Sequence, residues 1–194
     1  MPLTAWRHRL GAAAGILSLL LASASLPACA EALVGTSRVI ATFADWRVVI
    51  GDTNRGKVCY AAGSPRLRVP QGAVRERAYV FVTTRPEDSI RDEISVEFGF
   101  DVVAGATVTA GGDGFAFAGD DRGAWIKELA DEARLVAAMR ANAQMTVRSR
   151  SQLGEETVDT YSLKGFGEAL DHARRHCADP NSTSFLGRSG GKPA

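Results

Sequence analysis

Few residues in this chain are of types that carry redox, nucleophilic or metal chemistry. There are three cysteines, Cys29, Cys59 and Cys177, and three histidines, two of which, His172 and His176, stand four apart. Cys59 lies in "NRGKVCYAAGSPRLR", residues 54–68, a stretch with neither a histidine nor a carboxylate. A nucleophilic thiol needs a base beside it to hold it as thiolate, and nothing local supplies one. The metal candidate is "DHARRHC", where His172 and His176 share one helix face and Asp171 and Cys177 flank them. A catalytic zinc site needs a third protein ligand and an open position, and Ala173 stands where an H-E-x-x-H motif has its glutamate. The segment reads better as a solvated helix end whose basic residues complement the helix dipole. His172 and His176 are therefore weak metal candidates, and no cofactor is expected.

Three further stretches bear on chemistry. "AGGDGFAFAGDDRG" sets Asp113, Asp120 and Asp121 among glycines, but calcium-binding nonapeptide repeats work by stacking copies, and one copy reads as two hairpin turns. "SLKG" lacks the S-x-x-K spacing of a serine–lysine site, so Ser162 is expected near a helix N-terminus as a cap. "RLRVPQGAVRER" carries Arg66, Arg68, Arg75 and Arg77 against one acid, Glu76. Such a loop suits an anionic partner such as lipid A, a sulfated glycan or an acidic protein face, or it is a solvated loop bordering a sheet.

The cysteines acquire meaning from the N-terminus. Residues 1–30 carry Arg7 and Arg9, an apolar run from Ala12 to Leu26 and then small residues in "ASLPACAEA", the layout of a secretory signal peptide. The run is shorter than the roughly 20 residues of a membrane-spanning helix. Ala28-Cys29-Ala30 and Ala30-Glu31-Ala32 each offer a peptidase site, so the mature chain is expected to begin at Glu31 or Leu33. "LPAC" also resembles a lipoprotein box, which makes Cys29 the alternative lipidation site and membrane attachment conditional on that route. On either route Cys59 and Cys177 remain together in an oxidising compartment, most simply as a disulfide. Without the leader the chain has 21 basic and 22 acidic residues, which argues against a nucleic-acid binder.

Periodicity sets the elements that must position these groups. "EISVEFGF" alternates, with Ile94, Val96, Phe98 and Phe100 on one face; "QMTVRSRS" alternates more weakly. "AYVFVTT" reads as a central strand, "DWRVVI", "KVCYAA" and "EETVDTYSL" as others, and "TVTAGGDGFAFAG" as a hairpin. "LADEARLVAAMRAN" predicts a helix with Leu129, Ala133, Val136 and Met139 on its apolar stripe. "KGFGEALDHARRHC" predicts a second, with Phe166, Ala169, Leu170 and Ala173 inward. The expected fold is mainly β, an antiparallel β-sandwich with two helices packed on its edge or end. The boundaries are 1–30 signal peptide, 31–178 a single domain and 179–194 a flexible tail.

The blocks "FADWRVVI", "GKVCYAA", "AYVFVTTRP", "EISVEFGF", "LVAAMRANAQMTV" and "DTYSLKGFGEALDHARRHC" together resemble the invasion-associated locus B family of exported bacterial proteins, over Phe43 to Cys177. The resemblance implies a β-rich fold with cysteines paired at the positions of Cys59 and Cys177, and an association with invasion of host red cells in a pathogenic relative. It supplies no catalytic residues to carry over. The expectation is a non-enzymatic, disulfide-stapled protein of the periplasm or cell envelope, or secreted, that acts by binding a protein or an anionic envelope component. The alternative is a hydrolase or metal-dependent enzyme whose site is assembled from residues distant in sequence.

Overall fold

The computed structural model describes residues 36–178. The leader 1–30 with Cys29, and the tail 179–194, lie outside the described residues. Ten strands run in chain order: β1 (Thr36–Phe43), β2 (Trp46–Thr53), β3 (Gly56–Gly63), β4 (Leu67–Val69), β5 (Tyr79–Arg85), β6 (Ile90–Val102), β7 (Ala106–Ala110), β8 (Asp113–Ile126), β9 (Gln144–Arg150) and β10 (Glu156–Ser162). Helix α1 (Ala130–Ala141) joins β8 to β9, and α2 (Phe166–His176) follows β10. The described pairings are all antiparallel. The sheet order is β1-β2-β3-β5-β6-β8-β7-β9-β10-β4, one continuous sheet. The fold is thus mainly β and antiparallel, as its alternating segments require.

One core fills the inner face. Trp46, Val48 and Ile50 of β2, Ile94, Val96 and Phe98 of β6, Phe115 and Phe117 of β8, Met145 and Val147 of β9 and Tyr161 of β10 are all buried in it. The two ends of the sheet meet across this core, because the Trp46 indole N–H donates to the Ser162 carbonyl at 2.9 Å. Trp46 also packs on Phe166 of α2, ring centroids 4.8 Å apart. Helix α2 buries Phe166, Ala169, Leu170 and Ala173, the face its spacing predicts. Helix α1 differs: it buries Leu135, Val136 and Met139, while Leu129 precedes it and is 80% exposed, and Ala133 is exposed. Leu135, absent from the expected stripe, is fully buried, so the inward face runs through Leu135, Val136 and Met139 rather than through Ala133.

Two local expectations are corrected. Asp113 and Asp121 do not sit in two hairpin turns: β8 runs unbroken through both, and only the Gly111-Gly112 turn, with φ of 62° and 93°, is a hairpin. Ser162 ends β10 and its hydroxyl accepts the Lys164 N–H at 3.3 Å, whereas the residue capping α2 is Gly165 at φ 87°. A Cβ at Gly165 would lie 2.0 Å from the Phe43 carbonyl oxygen, so the close approach of α2 to the β1–β2 turn requires glycine there.

Candidate functional site

The arginine-rich segment is a loop only in part. Leu67–Val69 forms β4, which pairs with β10 at the end of the sheet. Strand alternation turns Leu67 and Val69 outward and Arg68 inward. On β10 the same alternation buries Thr157, Asp159 and Tyr161. Asp159 is the acid that answers this arginine. One carboxylate oxygen accepts Arg68 Nε at 3.0 Å and the other accepts Arg75 Nη1 at 3.0 Å, with the side chains of Arg75 and Asp159 only 6% and 7% exposed. Arg68 further donates to the carbonyls of Glu76 (2.6 Å) and Phe98 (2.8 Å), and Arg75 to that of Pro70 (3.1 Å). Arg75 also lies over the Phe100 ring, 5.7 Å from its centroid.

Strand β6 holds the loop from beneath. Its register shifts between Glu97 and Val102, and Gly99 sits there at φ 74°. The Glu76 N–H donates to the Gly99 carbonyl at 2.9 Å. A Cβ at Gly99 would come within 2.5 Å of the Glu76 carbonyl oxygen and 2.7 Å of that of Arg77, so the loop can rest on β6 only because this residue has no side chain. Burial holds the Asp159 carboxyl above the usual carboxylate range, against the opposing pull of Arg68 and Arg75. The neighbouring Tyr161 phenol is pushed further up, by burial first and by the charge of Asp159 second. Its hydroxyl is buried without a hydrogen-bond partner among the described residues.

Above this clip lies a cleft of about 530 Å³, lined by Arg47, Ser64, Arg68, Arg75, Arg77 and Tyr79 among others. Arg47 is exposed, reaches Ser64 Oγ at 3.5 Å and stands 6.0 Å over the Tyr79 ring. Arg77 is exposed, and neither it nor Arg47 forms an ion pair among the described residues. The Glu76 carboxylate is engaged by Arg122 at 2.8 Å. The four arginines singled out from the sequence therefore divide. Arg68 and Arg75 are framework, Arg66 is tied to Asp45, and Arg77 has no ion pair among the described residues. Burial sets Arg75, its side chain 6% exposed, apart from Arg66 and Arg77 at the surface. Arg47, Tyr79 and Asp159 were missed. A legible signal did exist for Asp159: it occupies an inward position of a strand, and a buried carboxylate requires a counter-charge.

Elsewhere, Cys59 and Cys177 form a disulfide across a sequence separation of 118, S–S 2.05 Å and Cα–Cα 5.8 Å, stapling β3 to the end of α2. Both cysteines are buried, at 0% and 4% exposure. His172 and His176 pack at a tilt of 44° with ring centroids 4.8 Å apart, and His172 also meets Phe43 at 5.4 Å. Among the described residues no group of three or more metal-ligating side chains comes together. A second cleft, beside Cys177, is lined by Arg91, Arg174 and Arg175. There Arg174 is already bound in bidentate fashion by Asp92. No helix among the described residues is long and apolar enough to cross a membrane.

A family model, described as that of the invasion associated locus B (IalB) protein, matches residues 46–174. Comparison with curated proteins and with solved structures finds no match.

Proposed function

The chain belongs to the invasion associated locus B family, and from that premise we propose that it is an exported, non-enzymatic envelope protein that binds an anionic partner through the arginine cleft. The observation that carries this reading is the division of labour in the cleft. Arg68 and Arg75 are fixed by Asp159 and by backbone carbonyls, and they form a rigid cationic floor. Arg47 and Arg77 stand at the same cleft without ion pairs among the described residues. Two guanidinium groups without a counter-ion beside a fixed cationic floor make a site for an anionic group. Export rests on the leader-like residues 1–30 and on a disulfide of the kind that persists in oxidising compartments.

Photo-crosslinking from a probe placed at Ser64, in the native host envelope, tests the binding reading. The expected result is a discrete adduct that disappears in an Arg47→Ala, Arg77→Ala double variant and weakens as salt rises, since exposed charges are screened beyond about 10 Å at 0.1 M ionic strength. An adduct indifferent to both changes refutes it. Mass spectrometry of the same material tests export, with Glu31 or Leu33 expected as the first residue. An acylated Cys29 would make the protein a membrane-anchored lipoprotein instead.

A further inference from the structure

The cleft has a charge and a geometry that select among anions, and we infer that the group it takes is a phosphomonoester dianion. The inference rests on the binding reading above and names its ligand class. Four guanidinium groups line the cleft, and the carboxylate that offsets them from beneath is Asp159, already shared between Arg68 and Arg75. The carboxylate on the rim, Glu76, is held by Arg122. The site is thus short of negative charge by more than one unit, which a single carboxylate or sulfate monoester does not supply. A phosphomonoester carries about −1.5 to −2 at neutral pH and three strong acceptor oxygens.

Geometry points the same way. The arginines come from different parts of the chain: Arg47 from β2, Arg68 from β4, and Arg75 and Arg77 from the loop leading to β5. A planar carboxylate has two oxygens in one plane and is matched by one guanidinium fork. A tetrahedral group presents three oxygens in different directions and can use forks that converge from several sides. Each guanidinium has five N–H donors. Arg68 spends three on Asp159, Glu76 and Phe98, and Arg75 spends two on Asp159 and Pro70. Arg47 spends one, on Ser64. The Ser64 hydroxyl and the Tyr79 ring complete a wall suited to the polar carbon skeleton that bears the phosphate, and about 530 Å³ is room for a sugar or lipid headgroup.

Isothermal titration with glucose 1-phosphate, glucose 6-sulfate and glucuronate separates the ligand classes. Vesicles of phosphatidylcholine containing phosphatidic acid, a monoester, or phosphatidylglycerol, a diester, separate a lipid-borne phosphate from a soluble one. The expected result is binding of glucose 1-phosphate about tenfold or more tighter than of the other two sugars, with phosphatidic acid preferred over phosphatidylglycerol if the source is a lipid. Arg47→Gln and Arg77→Gln should each weaken it by about tenfold, the worth of one charge-assisted hydrogen bond. Arg148→Gln, at an exposed arginine outside the cleft, should leave it unchanged, and melting curves establish that all the variants fold. Equal affinity for glucuronate and glucose 1-phosphate overturns the phosphate assignment and leaves an anion site. Absence of binding to every probe, with the Ser64 adduct still dependent on Arg47 and Arg77, also overturns the assignment alone. Loss of both signals overturns the binding reading with it.

Discussion

Replacing Asp159 by alanine removes the acceptor of two guanidinium groups at once, each at 3.0 Å. Arg68 keeps two carbonyl partners, but Arg75, 6% exposed, is left as a buried cation with the Pro70 carbonyl and the Phe100 ring and no counter-ion. Breaking a buried ion pair by deleting one partner costs about 3–5 kcal/mol, most of it the penalty of the orphaned charge. For a domain of this size that is a fall in Tm of about 10–20 °C. The pair itself is not a net source of stability of that order. Burial raises the Asp159 carboxyl above its ordinary range, the mark of a desolvation that the two arginines do not fully offset. The sign follows. A carboxyl raised in the folded state takes up its proton more readily there than in the unfolded chain, so acid does not release this clip through Asp159. Adding Arg75→Met to Asp159→Ala should therefore recover more than half of the loss, because the stranded charge goes with it. The assay is urea denaturation of both variants beside wild type, read as a shift in midpoint at constant m-value. A loss below about 1 kcal/mol for the single variant, within the range of an exposed ion pair, or a further loss in the double variant, would refute the reasoning.

Three more outcomes follow from the same structure. Closing a loop of 118 residues, the Cys59–Cys177 bridge stabilises by about 5 kcal/mol on chain-entropy grounds, so a Cys59→Ala, Cys177→Ala variant should melt at least 10 °C lower; thiol titration of the unfolded, unreduced protein should find neither cysteine free. Gly99→Val should strain a backbone at φ 74° and push Glu76 and Arg77 off β6, costing about 1–3 kcal/mol and exposing the loop to limited proteolysis; unchanged cleavage would contradict the seating of that loop. The His176 imidazole is held below its ordinary value by desolvation first, then by His172, Lys57, Arg175 and Arg38. The unfolded chain therefore protonates first, and stability should fall as pH drops through about 6.5, a slope that His176→Gln should flatten.

How far the fold was legible depended on whether a segment carried its own pattern. Alternation, strict in β6 and weaker in β9, marked those strands, and the i, i+3, i+4 spacing marked the buried face of α2, because each of these signals is local. Strand β1 was missed since its outer edge is unpaired and its residues are mostly exposed, which leaves no alternation to read. Strand β4 was missed because three residues are too few for a period, and its pairing with β10 is fixed from 91 residues away, at Arg68 and Asp159. The same distance hid the site. Counting charges located the arginines, but only packing distinguishes Arg75, sealed over Phe100, from Arg77 at the surface. Arg47 lies on a strand remote in sequence, and it joins the cleft because β2, β3 and β5 are neighbours in the sheet.

The central claim is that two arginines of this cleft build it and two use it. Measuring binding to native envelope vesicles and melting temperature together, for an Arg47→Ala, Arg77→Ala variant and an Arg68→Ala, Arg75→Ala variant, tests that division directly. The account predicts that the first pair loses binding with a change in Tm within about 3 °C, as for exposed charges, and that the second loses about 10 °C or more through the stranded Asp159 carboxylate. Equal effects of the two pairs on both quantities, or full binding by the first, would contradict it.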